Sequence, residues 1–458
     1  MKVLFGTDGI RGEAGRFPLD EATVKTIGFS LASHLAETNR LSDASAEPTI
    51  VIGRDTRESG EWLEQALIEG ATRAGARCLS AGVITTPGVA FLTRKLQAGA
   101  GVVISASHNP YQDNGIKIFS PTGEKIDDSL ERQIESDIDR GFKTNENGFV
   151  LNPCSNDLSS SLRNDYLRYL VEEIAQGLSL TGMTIVVDCA NGASTDFAPQ
   201  LFKTLGAHVI AINATPDGRN INLNSGSLHI ESLMSAVVKE NADIGVAFDG
   251  DADRSLYVDN KGNYVDGDAT LWVLANHLKN RGRLNDDTVV ATVMSNIGLE
   301  VAFRAAGIKL VRTNVGDKYV LDELLRLGAS LGGEQSGHII LPALSLAGDG
   351  MITALCLLRA LREADKTLAE MTAGFQQYPQ ILLNVRVREK VPFDRLSSVQ
   401  AEVKDVEERL SHKGRLLLRY SGTEPLARVM IEGEKQFEIE DYAQRIADAI
   451  KTEIGATS

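Results

Sequence analysis

Apolar residues are distributed along the chain in two alternating rhythms. Short β-branched runs bounded by Gly, Pro, Asn or Asp predict buried strands at 49–52, 101–104, 184–188, 209–213, 244–248, 288–294 and 309–313. Amphipathic stretches lie between them, with helices predicted at 20–37 and 61–76. Strands alternating with helices over most of the length predict an α/β class. The C-terminal part departs from that rhythm. There a strand at 381–387, a charged helix at 397–410, strands at 415–420 and 427–432 and a helix at 439–454 follow in order. This β-α-β-β-α series predicts a small α+β domain with a mostly antiparallel sheet.

Length turns these rhythms into domains. At 458 residues the chain exceeds what one hydrophobic core holds. The expected division is 1–150, 160–262, 263–375 and 380–458, three α/β units with mixed sheets plus a smaller C-terminal α+β domain. The Asn- and Ser-rich segment 144–160 is the first expected linker. Each unit carries one polar, glycine-bearing loop, as four domains around a central cleft would require.

Hydrophobic residues at 43% and charged residues at 24% are globular values. A formal net charge of −15 speaks against non-specific nucleic-acid binding and against an anionic membrane surface. It leaves room for a phosphorylated substrate held by local arginines. Cys78, Cys154, Cys189 and Cys356 form no C-x-x-C pair, so neither a zinc site nor a disulfide framework is expected and a reduced cytoplasm is. The opening apolar run stops at Gly6-Thr7-Asp8-Gly9, too early for a signal sequence, and no run is long enough to span a bilayer.

The candidate chemistry sits in the loops. Ser105-Ala106-Ser107-His108-Asn109-Pro110 follows strand 101–104, and a hydroxyl at the carboxyl end of such a strand is where α/β sheets place ligand sites. Taken alone, the six residues also read as an ordinary polar turn. A second loop, Asp249-Gly250-Asp251-Ala252-Asp253-Arg254, follows strand 244–248 and puts three carboxylates on one side of a tight turn. Hard cations such as Mg²⁺ take oxygen ligands of this kind. An EF-hand is excluded, since its sixth and twelfth positions would be Arg254 and Asn260 rather than Gly and Glu. A serine nucleophile beside a three-carboxylate cation site suggests phosphoryl transfer, and Arg254 is placed to hold phosphate next to the metal.

Arg419, Ser421, Gly422, Thr423 and Arg428 have the donors of a phosphate cradle, although a plain hairpin turn has the same composition. Glu334 and Ser336 offer acceptors and a donor suited to sugar hydroxyls. Arg11, in the turn Gly6–Gly12, is a further phosphate ligand candidate. Lys117 and His338 are candidate proton-transfer groups, against the defaults of a surface lysine and a structural histidine. Neither GxxxxGK[ST] nor GxGxxG occurs, which argues against an NTPase or a dinucleotide enzyme.

Five motifs in order (FGTDGIRG, SASHNP, DGDADR, GGEQSGH and RYSGTEP) resemble the α-D-phosphohexomutase superfamily over nearly the full length. Gln335 and the stretch Val315-Gly316-Asp317-Lys318-Tyr319-Val320 look most like the phosphoglucosamine mutase branch. Lys318 departs from the arginine of that branch and cannot make its bidentate phosphate contact; the insertion at 39–48 is also longer. The resemblance implies a phosphoserine at Ser107, with one Mg²⁺ per subunit held by Ser107, Asp249, Asp251 and Asp253. It implies transfer to glucosamine 6-phosphate through a 1,6-bisphosphate, itself the activator, with the product feeding UDP-N-acetylglucosamine and cell-wall synthesis. Arg11, Glu334, Ser336, Arg419, Ser421, Gly422, Thr423 and Arg428 would bind substrate; Ser107, Lys117, Arg254 and His338 would be catalytic. The expected partners are the small phosphosugar and, as a homodimer, a second copy of the chain. Two rivals remain. One is a phosphomannomutase/phosphoglucomutase with the same residues; the other is a haloacid-dehalogenase-like phosphotransferase using Asp249, from whose signature Asp253-Arg254 departs.

Overall fold

The computed structural model describes residues 4–6, 8–41, 47–141, 156–421 and 425–456. They form two compact units, Met1–Val293 with Val311–Thr372, and Met294–Leu310 with Ala373–Ser458.

The first unit contains three mixed sheets. In the six-stranded sheet the order is Phe5–Gly6, Gly9–Glu13, Asp113–Phe119, Ala100–Ile104, Thr49–Arg54, Arg77–Val83. Thr49–Arg54 runs parallel to both its neighbours, and Asp113–Phe119 is antiparallel to Ala100–Ile104. The five-stranded sheet has the order Tyr264–Val265, Ser255–Asp259, Ile244–Phe248, Thr184–Asp188, His208–Ile212. A four-stranded sheet is built on Thr288–Thr292, with Gly332–Gly333 parallel beside it and Ile339–Ile340 antiparallel beyond. Every residue of Ala100–Ile104 and Ile244–Phe248 is buried. Both are interior strands covered on two faces, so they read as unbroken apolar runs rather than alternating ones. Each ends in a polar loop, and those two loops make the site.

In the second unit Leu426–Gly433 lies between Gln380–Arg386 and Gly414–Tyr420, antiparallel to both. Helices Ser397–Leu410 and Gln436–Ile454 supply Val399, Val406, Ile439 and Ile446 to a core shared with Val429 and Ile431. The predicted α+β arrangement is therefore present. The segment Met294–Leu310 is tied in by Asn296, which donates to Tyr378 O (3.0 Å) and accepts from Tyr378 N (2.9 Å).

Two expectations change. Helix Glu21–Leu41 runs on into the insertion, and helix Asn156–Arg168 begins inside the expected linker; positions 42–46 of the insertion and 144–155 of the linker lie outside the described residues. No helix among the described residues is long and apolar enough to cross a membrane.

Candidate active site

The chain turns sharply after Ala100–Ile104. Ser105 Oγ donates to Asp55 Oδ2 (2.6 Å) and accepts from Ser107 N (2.9 Å). Ser107 then adopts φ 52°, the left-handed region that non-glycine residues rarely occupy. Its hydroxyl, fully buried, donates to Asp249 Oδ2 at 2.6 Å. The approach of the two loops depends on glycine, since a Cβ on Gly250 would lie 2.5 Å from Ser107 O. His108 Nδ1 lies 3.3 Å from Ser107 Oγ. Burial, then Arg254 and Arg11, push that imidazole down to about 4, so it is neutral at physiological pH.

Asp249, Asp251 and Asp253 are buried, with one carboxylate oxygen from each within 4.8 Å of the others. Burial first, then Asp253 and Asp251, push Asp249 well above the ordinary carboxylate range. Burial acts the same way on Asp253, but Lys117, His338 and Arg254 outweigh it and hold Asp253 well below that range. Lys117 is no surface lysine: it is 1% exposed and sits 2.8 Å from Asp251, 3.1 Å from Asp253 and 3.0 Å from Asp8. Burial lowers its pKa, yet these carboxylates raise it well above the usual value. Oδ1 of Asp251 and Oδ1 of Asp253 have no hydrogen-bond partner among the described residues. Three clustered carboxylates with open oxygens are a fitting donor set for a hard dication.

A cavity of about 410 Å³ opens beside them, with Arg11, His108, Arg254, Glu334, Asp317 and His338 on its wall. The Nε atoms of Arg11 and Arg254 are buried there without a partner among the described residues, as expected of groups awaiting an anion. Glu334 Oε1 accepts from Gly316 N (3.1 Å), while Ser336, half-buried, is not on the wall. Gln335 is turned away as well, and donates to Asp266 Oδ2 (3.1 Å). Asp266 caps helix Gly267–Asn280, so the branch-marking glutamine anchors the sugar loop to a helix end. Lys318 pairs with Asp128, and it is Lys125 that bridges Asp8 and Asp317, at 2.8 Å from each.

His338 Nδ1 is 3.8 Å from Asp253 Oδ1 and its Nε2 is 3.8 Å from Asp317 Oδ2. Gly348 makes room for the ring, because a Cβ there would lie 2.1 Å from Nε2. Burial lowers the His338 pKa, but Asp253, Asp317 and Glu334 outweigh it and raise it to about 9. A histidine raised on folding adds stability that is complete below its ordinary value near 6.5 and lost as pH rises through about 9. Melting of the metal-free chain should therefore fall by roughly 5 °C more than that of His338→Asn over this window. Parallel melting curves would remove His338 from its charged role.

Arg419 and Arg428 are directly opposed across the strand pair. Leu418 and Val429 belong to the core, so by alternation the two arginines share the other face. Two cationic side chains are thereby gathered on one face of the hairpin. Ser421 N bonds Leu426 O (2.8 Å), and Ser421 O accepts from Lys390 Nζ (2.6 Å). Gly422 and Thr423 lie outside the described residues.

Four family models match the chain in series, three described as phosphoglucomutase/phosphomannomutase alpha/beta/alpha domains I, II and III and one as the C-terminal domain. They cover 2–145, 164–262, 266–378 and 382–449. A phosphoglucosamine mutase of Solibacter usitatus is 50% identical over 457 residues, 99% of either chain. One from Koribacter versatilis is 44% identical over 99% of this chain and 98% of its own. The chain belongs to the phosphoglucosamine mutase family.

Solved structures agree with that family in fold. A Burkholderia thailandensis phosphoglucomutase/phosphomannomutase family protein matches with TM-score 0.77 at 23% identity, over 98% of this chain and 97% of that one. An Aspergillus fumigatus N-acetylphosphoglucosamine mutase, solved with GlcNAc-6P and magnesium, matches with TM-score 0.60 at 20% identity, over 90% and 85%. The candidate site also contains residues given no role from the sequence: Asp8, which lies inside the first motif, and, beyond the motifs, Asp55, Arg57, Lys125, Asn222 and Thr86, whose hydroxyl donates to Asp251. A signal existed for two of them. Asp55-Thr56-Arg57 is a polar loop at the end of a buried strand, as the serine loop is.

Proposed function

We propose that the chain interconverts glucosamine 6-phosphate and glucosamine 1-phosphate in the cytoplasm, through a phosphoserine at Ser107 and a bound 1,6-bisphosphate. One observation carries the reading: the buried Ser107 hydroxyl meets the three-aspartate cluster beside a cavity lined by Arg11 and Arg254, whose Nε atoms have no hydrogen-bond partner among the described residues. Phosphoserine 107 gives its phosphoryl group to the sugar O1; the Ser107 O–P bond breaks as the new bond forms. The proton of the attacking hydroxyl ends on Ser107 Oγ, which in the unphosphorylated chain donates to Asp249. After the bisphosphate turns over, its 6-phosphoryl returns to Ser107 and glucosamine 1-phosphate leaves. Free sugar 1,6-bisphosphate recharges an enzyme that has lost its phosphoryl group.

Asp249, Asp251, Asp253 and the Ser107 phosphate are the residues to hold Mg²⁺, which supplies positive charge to the transferring group. Arg254, Lys117 and His338 add to that charge, since the carboxylates around them keep the last two protonated. In phosphoryl transfer positioning and electrostatics supply most of the catalysis. Arg11 takes phosphate, Glu334 and Ser336 take sugar hydroxyls, and Arg419, Ser421, Gly422, Thr423 and Arg428 take the phosphate that is not reacting. The four-part division at 1–150, 160–262, 263–375 and 380–458 belongs to the same reading. The test compares kcat/KM on the 6-phosphates of glucosamine, mannose and glucose, with Mg²⁺ and catalytic bisphosphate. We expect glucosamine to lead by at least about 100-fold, as for a site that pairs a specific substrate group. Preference for mannose or glucose would overturn the amino-sugar assignment.

A further inference from the structure

Behind Ser107 lies a buried cation that the phosphoryl-transfer scheme does not use. Arg57 follows strand Thr49–Arg54, and its side chain is 0% exposed. A guanidinium has five N–H donors, and each one here has an acceptor. Nε donates to Asp55 Oδ2 (2.9 Å), Nη1 to the carbonyls of Pro110 and Asp113 (3.0 Å to the latter), and Nη2 to those of Ser107 (2.9 Å) and Asn109 (2.8 Å). Four acceptors are thus backbone carbonyls of the nucleophile loop and its exit. Asn222 reaches two of the same oxygens, with Nδ2 at 2.8 Å from Ser107 O and 3.1 Å from Asn109 O.

We propose that Arg57 and Asn222 form a carbonyl clamp that positions Ser107 for in-line transfer. Both are positioning residues that leave the substrate untouched, and the inference rests on the phosphoserine reading. Serine disfavours φ 52°, so something must hold this turn while its side chain reacts. The clamp grips the Ser107 peptide on both sides. Its carbonyl is held by Arg57 and Asn222, and its N–H by Ser105 Oγ, which bonds the same Asp55 that neutralises Arg57. It also engages carbonyl oxygens that would otherwise be free to face a phosphoryl group bearing charge on its equatorial oxygens. A displacement of 1 Å at the reacting atom costs about 100-fold in rate.

Two variants separate positioning from mere scaffolding. Asn222→Gly suits the φ of 58° at this position and deletes both carbonyl bonds. Arg57→Lys keeps the charge opposite Asp55 but offers three donors in place of five. In each, single-turnover transfer from labelled phosphoserine 107 and kcat should fall about 100-fold, with sugar-phosphate Kd and KM within about threefold of the parent. A role limited to stability would lower melting and leave transfer in the folded fraction unchanged. Transfer within threefold of the parent in a folded variant overturns the clamp, and Asn222→Gly decides alone if Arg57→Lys fails to fold. An unmodified chain that takes no label on Ser107 would overturn the phosphoserine reading instead, and the clamp with it.

Discussion

Ser107→Ala is expected to lower kcat by about 10⁴-fold or more, while the chain stays folded. The substitution removes one oxygen, whose strongest bond is the 2.6 Å contact to Asp249. Alanine keeps the Cβ and tolerates φ 52° no worse than serine does, so melting should move by less than about 3 °C. The reaction has no substitute for the hydroxyl: water at this position yields inorganic phosphate, not an isomer. Intact-mass measurement after incubation with sugar bisphosphate should show a phosphoryl increment on the parent and none on the variant. Isomerisation within tenfold of the parent rate would refute covalent catalysis at Ser107. Acyl-phosphate chemistry at Asp249 would show itself separately, as label released by hydroxylamine, which leaves phosphoserine intact.

Removing divalent cations is expected to reduce turnover at least about 10³-fold, with Mg²⁺ restoring it. The aspartate cluster gives this a second, non-catalytic readout. Burial and two neighbouring carboxylates raise Asp249 well above its ordinary value. A carboxyl raised on folding costs stability once the unfolded chain ionises; the loss begins near 3.8 and deepens until the folded group ionises too. Under chelation, melting of the unmodified chain should therefore fall relative to Asp249→Asn as pH rises above about 4. Mg²⁺ should raise the melting temperature of the unmodified chain and leave that of Asp249→Asn nearly unchanged, because binding stabilises only a state that binds. Equal Mg²⁺ shifts in both would remove Asp249 from the cation site.

What was legible in the chain was what lies close together in it. Ser107 and the three aspartates are concentrated in two short loops after unbroken apolar strands, so residue type and local geometry could be read at once. The α/β rhythm and its change near residue 380 were legible for the same reason, since period and turn residues are local quantities. Gln335 was visible as a marker, but its bond to Asp266, 69 residues away, was not.

The amino-acid order by itself determined the secondary elements, the fold class and the loops that bear the chemistry. Only the tertiary structure decided the electrostatic state of those groups. Lys117 looks like any lysine until the fold brings it against Asp251, 134 residues distant, and buries both. His338 becomes a charged histidine only between Asp253 and Asp317. The loop position of Arg57 is visible in the sequence, but its burial and saturation arise only because loops 50 residues apart converge on its five donors. Burial and long-range charge depend on which segments meet, and local sequence carries no record of that meeting.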